Sequence, residues 1–272
     1  MEQRERFNPF TGGTGSRGGP LKRPPLVLVL CQVKWPEITA MQQRFIDIAG
    51  RVGERLADFP LQTVSTSVSI RLGPDGASEP VQMPVYQWGD VDQNRTVTLT
   101  PDYVTLSFLD YEGSYEEFSR TLRDVLTAVV DVARVPVYDR LGLRYVNRLA
   151  EGAEVAEVSE LIKSAGLGLE ALENEPVAAR LVESQTVALY ELNPGNLVAR
   201  MGTLSPNQVP DPAIAPVDVV SWVLDIDSFE EGRSPFIVDA VLSKTSRLAV
   251  AARDFLRFVS HAGFEDNFGK EG

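Results

Sequence analysis

Hydrophobic and polar positions change period repeatedly along this chain of 272 residues, and each change marks an element. The apolar run "LVLVLCQVKW" (26–35) predicts a central strand, which Pro36 breaks. From Glu37 to Phe59 the apolar residues Ile38, Met41, Phe45, Ile48, Val52, Leu56 and Phe59 follow steps of three and four, the stripe of one amphipathic helix lying on a sheet. Four β-rich segments follow, at 62–72, 81–88, 95–100 and 103–111, separated by turn residues such as Gly73-Pro74-Asp75-Gly76 and Pro101-Asp102. Connections this short favour antiparallel pairing. Ser114 with Glu117 three residues on reads as a capping box, in which each side chain satisfies the other residue's backbone N–H. The helix it opens has the stripe Tyr115, Phe118, Leu122, Val125, Val129 and Val132, and ends near Arg134, before Pro136.

Beyond residue 150 the spacing predicts a short helix around 159–165 and strands at 177–192, 196–204 and 217–227, the first two joined by "NPGN" in a hairpin. "SPNQVPDPAIAP" (205–216) holds four prolines and reads as an extended surface loop able to cover an edge or a cavity. Ser234-Pro235 reads as an N-cap followed by proline at the first helical position. The helix after it carries Ile237, Val241, Leu248, Ala252, Phe255 and Val259 at helical spacing. The fold class is therefore α+β: antiparallel sheets packed against long amphipathic helices. Two closely packed lobes are expected, 24–150 and 151–272, behind a flexible Gly-rich basic tail at 1–23. Both lobes place strands before a long helix, but no residue-level repeat supports a duplication.

One strand departs from the plain pattern. In "DRLGLRYVNRL" (139–149), alternation puts Leu141, Leu143, Tyr145, Asn147 and Leu149 on one face and Arg140, Arg144, Val146 and Arg148 on the other. The first is a core face interrupted by an amide, and the second is a cationic stripe. A guanidinium is a planar fork for carboxylate or phosphate. The stripe therefore either grips an anionic ligand or a partner's acidic edge, or neutralises this chain's own excess of Asp and Glu. Buried Asn147 must bond backbone or line a polar cavity, because an unsatisfied buried amide costs about 1–3 kcal/mol.

Charge and composition narrow the classes. The net charge is −12, and residues 1–23 hold five basic side chains against two acidic ones, leaving −15 on the rest of the chain. Such an acidic body is a poor general nucleic-acid binder. The tail matches G-x-G-x-x-G at 13–18, but neither a strand before it nor a helix after it supplies the phosphate-binding geometry. With one cysteine, Cys31, and one histidine, His261, no zinc cluster or Ser-His-Asp triad with a nucleophile elbow assembles within one chain. The remaining metal candidates are Asp225 and Asp227 in "VLDIDSF", which alternation places on one face where they could share a hard cation or line a solvated strand. A lone cysteine, the absence of an apolar run of membrane-spanning length and a charged first segment together lead to the expectation of a cytoplasmic protein. No cofactor is expected.

The segments "RPPLVLVLCQVKW", "YQWGDVDQNRTVTLTPDYVTLSFLDYEGSYEEFSRTL", "RLGLRYVNRL" and "FVSHAGFEDNFG" resemble a sporadically distributed bacterial family without an established activity. The resemblance spans roughly residues 24–269, and this chain departs from it at Cys31, Gln32 and Lys34, where acidic or apolar residues are expected. It implies a bacterial accessory gene of the kind carried on mobile or defence-related islands. The expected role is a non-catalytic binding or assembly component that recognises a protein partner, a second copy or a small anionic ligand, with Arg140, Arg144, Arg148 and Asn147 as its binding residues. The competing expectation is a metal-dependent hydrolase or nuclease built on Asp225 and Asp227.

Overall fold

The computed structural model describes residues 24–72, 78–150, 158–167, 182–261, 263–264 and 268. The tail with its glycine motif, the 73–76 turn and the start of the expected 177–192 strand lie outside the described residues. In chain order the elements are β1 (Leu26–Lys34), α1 (Thr39–Gln43), α2 (Phe45–Gly53), β2 (Leu61–Leu72), β3 (Ser78–Gly89), β4 (Arg95–Leu99), β5 (Tyr103–Leu109) and α3 (Tyr115–Ala133). They continue with β6 (Val137–Leu149), α4 (Val158–Leu161), α5 (Ser164–Leu167), β7 (Thr186–Glu191), β8 (Asn196–Leu204), β9 (Ser221–Pro235) and α6 (Val238–Val259).

Among the described residues nine strands form one antiparallel sheet in the order β2-β3-β4-β5-β1-β6-β9-β8-β7. The apolar first strand is its middle, as the uninterrupted hydrophobic run requires. Segments on either side of residue 150 meet where β6 pairs with β9, from Val137 opposite Pro235 to Leu149 opposite Trp222. One face of the sheet carries Val29, Cys31, Val33, Val97, Leu106, Phe108, Leu141 and Leu143, which pack on Phe45 and Val52 of α2, Phe118 and Val125 of α3, and Val241 and Leu248 of α6. Farther along, Met201, Trp222, Leu224 and Ile226 pack on Phe255 and Val259 of α6 and on Leu161. Trp88 and Trp222 are both buried anchors of their strands. Among the described residues no helix is long and apolar enough to cross a membrane.

Three local expectations are corrected. The helix expected over 37–59 breaks at Arg44, whose φ of −119° is not helical. No proline or glycine stands there, and Met41 and Phe45 on either side of the break are both buried. Its last apolar positions lie beyond α2 in short i to i+3 turns, Leu56 N–H to Gly53 O and Phe59 N–H to Leu56 O, so Leu56 and Phe59 still reach the core. Gly53 lets the end of α2 lie against Trp88, because a Cβ there would sit 2.6 Å from the indole nitrogen. Next, Ser234-Pro235 does not begin a helix. Both residues end β9, opposite Tyr138 and Val137, and the Ser234 hydroxyl accepts from Lys244 Nζ at 3.1 Å. The helix starts after Ile237 with no side-chain cap. Finally, only half of the capping box forms: Ser114 Oγ accepts from Glu117 N–H at 3.2 Å, while the Glu117 carboxylate lies 3.5 Å from the Tyr111 hydroxyl.

The β3–β4 turn is closed by charge. Asp90, nearly fully buried, accepts from Arg95 N–H at 2.9 Å and from Arg95 Nε at 2.7 Å. Burial pushes the Asp90 carboxyl up, but the Arg95 hydrogen bonds and charge outweigh it and leave the group below its ordinary value. A carboxyl depressed on folding stabilises above its unfolded value of about 3.9, and that stability is lost as pH falls through the folded value. Asp90→Asn is therefore expected to lower stability at pH 7 by about 1–3 kcal/mol and to flatten the acid limb of the stability curve; urea titrations from pH 2 to pH 7 measure both.

Candidate functional site

The alternation of β6 holds in the structure. Leu141 and Leu143 face the helices, and Arg140, Arg144, Val146 and Arg148 face the opposite side of the sheet. Asp225 and Asp227 of β9 stand beside them on that side. The register sets Arg144 opposite Asp227, yet its guanidinium leans along the strand to Asp225 and grips both oxygens, Nε to Oδ1 at 2.8 Å and Nη2 to Oδ2 at 3.1 Å. Asp227 is left to Arg140, whose Nη2 reaches it at 2.8 Å. This diagonal needs Gly142: a Cβ there would lie 2.6 Å from Arg140 Nη1. The same guanidinium sits 4.7 Å from the centre of the Phe229 ring, a cation–π contact. Arg200 of β8 adds a longer contact to Asp225 at 3.4 Å.

The proline-rich loop closes over this network as a strap. Its Asp211 carboxylate pairs with Arg144 Nη1, and Pro210 O accepts from Arg144 Nη2 at 3.4 Å. Arg148 donates to Gln208 O and Ala215 O at 3.0 Å each and to Ser221 Oγ at 3.1 Å. Ile214 is pressed beneath the strap against Leu28, Val146, Leu204 and Val223, a small apolar cluster on the face away from the helices. A loop lying against a sheet must satisfy its buried carbonyls, and among the described residues no strand runs beside the strap to do so. The arginines of β6 supply those donors. Asn147, on the helix side, solves its own problem by donating to Leu224 O at 3.3 Å.

Electrostatically the three arginines differ. Burial works against the charge of Arg144, but the carboxylates of Asp225 and Asp211 outweigh it and hold its pKa above the ordinary value. Arg148 is 5% exposed, and burial alone pushes its pKa down. Among the described residues no carboxylate pairs with it, and its three contacts are to neutral oxygens. Burial raises Asp227 above the usual carboxylate range despite the nearby Arg140, with the Asp225 charge adding to the rise. A cation shared by Asp225 and Asp227 would have to displace Arg140, Arg144 and Arg200, and a small anion would have to take Arg144 from two aspartates. Among the described residues no group of three or more His, Cys, Asp or Glu side chains is arranged to hold a metal. The cavity beside the strap, bounded by Arg200, Asp225, Pro210 and Val223, holds about 60 Å³, room for waters rather than a drug-sized ligand.

No family model matches this chain, and no curated protein matches it. The residues named from sequence, Arg140, Arg144, Arg148, Asp225 and Asp227, are brought into one network on one face, with Asn147 on the other. Sequence reasoning missed Asp211, Arg200 and the carbonyls of Gln208 and Ala215. The available signal was the loop itself, four prolines and one aspartate with too few N–H groups to satisfy its own turns.

Arg148→Ala is expected to orphan two strap carbonyls, at roughly 1–3 kcal/mol each, and to speed protease cleavage within 205–216. Arg148→Lys is not expected to rescue it, because one ammonium cannot reach three divergent oxygens. Denaturant titration and limited proteolysis of the two variants check this.

Proposed function

We propose that this chain is a non-catalytic binding or assembly component that recognises a protein partner, in a bacterial accessory system of the kind the family resemblance implies and in the cytoplasm. The observation that carries this reading is the arm formed by β2 and β3. These strands pair over their full length, whereas β4 joins β3 only at Tyr86–Gly89, so the rest of the hairpin extends past its neighbour. Every residue from Leu61 to Val68 is exposed, Val64 and Val68 by more than half. Exposed valines on a strand whose outer edge has no neighbour among the described residues favour contact with another polypeptide, since such an edge offers a row of N–H and C=O groups. Recognition is thereby assigned to the arm rather than to the arginine face, whose guanidiniums are held by this chain's own aspartates and strap.

The finer plan is part of the same reading. Residues 24–150 and 151–272 act as two lobes sharing the sheet, each covered by a long amphipathic helix, and the arginine network fastens them at β6 and β9. The buried apolar stripes of α3 and α6, and the position of the network on that seam, support it.

Tagged protein recovered from its native host tests the proposal, with companions identified by mass spectrometry for the wild type and for Val64→Lys/Val68→Lys. A specific companion polypeptide, another protein or an untagged second copy, is expected with the wild type and is expected to be lost with the variant. Identical companions in both samples, or none in either, would contradict the reading.

A further inference from the structure

We infer that β2 is the edge through which two copies of this chain pair, antiparallel about a twofold axis. The inference rests on the reading of the arm as the recognition element and names its partner. Two prolines of β3 fix which groups of β2 face outward. Pro80 stands opposite Ile70 and Pro84 opposite Thr66. Proline has no N–H, so neither position can exchange the two hydrogen bonds of a bonded pair, and both are non-bonded positions of the β2–β3 ladder. At such positions the backbone groups of the facing residue point away from the partner strand. By alternation, Gln62, Val64, Thr66, Val68 and Ile70 therefore present their N–H and C=O groups to the free edge of β2.

The same prolines blunt the other side of the arm. Beyond Tyr86 the outer edge of β3 has no neighbouring strand among the described residues, and Pro80 and Pro84 remove donors from it. At the far end of the sheet, β7 is six residues long and ends in Glu191. The β2 edge has neither device: it is twelve residues long, roughly 40 Å at about 3.4 Å per residue, with no proline and no charged residue from Leu61 to Ile70. Among the described residues β2 thus presents an edge twice as long as that of β7 and free of the prolines that interrupt β3.

Charge and register select the occupant. Two copies of a chain of net charge −12 repel, and the uncharged run of β2 lets their backbones meet without facing like charges. The strand is also self-complementary. Centred on Thr66, an antiparallel pair sets Val64 against Val68, Thr66 against Thr66 and Gln62 against Ile70, with Leu61 meeting Arg71 at the ends. Matched β-branched residues on one face are favourable cross-strand pairs, and the five outward residues of each strand exchange about ten backbone hydrogen bonds. The contact is isologous, so it closes at two copies.

Sedimentation equilibrium of the full chain over micromolar concentrations tests the pairing. The wild type is expected at twice its 29.9 kDa, with amide exchange at Val64, Thr66 and Val68 slowing as concentration rises. Val64→Lys/Val68→Lys opposes lysines across the axis, and Thr66→Pro removes one outward N–H without adding charge. Each is expected to weaken association at least tenfold with thermal unfolding unchanged for the lysine variant, whose sites are exposed. A wild-type monomer throughout, or a dimer unaffected by both variants, would overturn the pairing. If the wild-type monomer nevertheless captures a different protein that the lysine variant loses, self-pairing fails while the arm stands as the recognition element.

Discussion

Arginine side chains buried on a sheet must find acceptors, and in this protein that requirement shapes the face away from the helices where β6 meets β9 and the strap. Burying an uncompensated charge costs several kcal/mol, so Arg144 and Arg140 fix Asp225 and Asp227 in place. Arg148 fixes the backbone of a loop that could not otherwise lie there. The contacts fall where β6 meets β9, the pairing that joins segments on either side of residue 150. Register, strap and seam thus depend on one set of guanidinium contacts, aided by the space over Gly142 that lets Arg140 cross to its partner.

This arrangement separates two properties that the sequence mixes. A cationic stripe on a strand suggests a ligand site, but a guanidinium that already holds a carboxylate bidentately offers little to an incoming anion. Asp225 and Asp227, for the same reason, are poor hosts for a divalent cation. Among the described residues the arm stays exposed, and the proposed contact there would be made by backbone groups rather than by charges. An acidic chain gains from such a contact, because main-chain hydrogen bonds do not require opposite charge on the partner.

Much of this was legible in the sequence because periodicity reports burial directly. The central strand, the β2–β5 segments, the Ser114 cap and the two faces of β6 all follow from spacing, and Ser114, Leu141 and Leu143 sit where it places them. Misreadings arose where long-range pairing overrode local signals. Ser234-Pro235 has the chemistry of a helix start, yet Tyr138 and Val137 hold it as strand. The strand expected at 217–227 runs instead from Ser221 to Pro235, with Glu231 opposite Arg140 and Glu230 paired with Lys244 and Arg247. The network itself lay half in view: three arginines and two aspartates could be named, whereas Asp211 joins them across a loop no periodicity describes. The open edge of β2 was likewise hidden, since neighbouring strands are not encoded in a strand's own pattern.

The inward role of the arginines is tested most directly by a double-mutant cycle between Arg144 and Asp225, using Arg144→Ala, Asp225→Ala and both together, with unfolding free energies from urea titration. Each single change is expected to cost about 1–3 kcal/mol, because Arg144 keeps Asp211 and Asp225 keeps Arg200, and the double variant less than their sum. Additive losses, or single variants as stable as the wild type, would mean that the two side chains are not bound to each other and that the arginine face is free to bind something else.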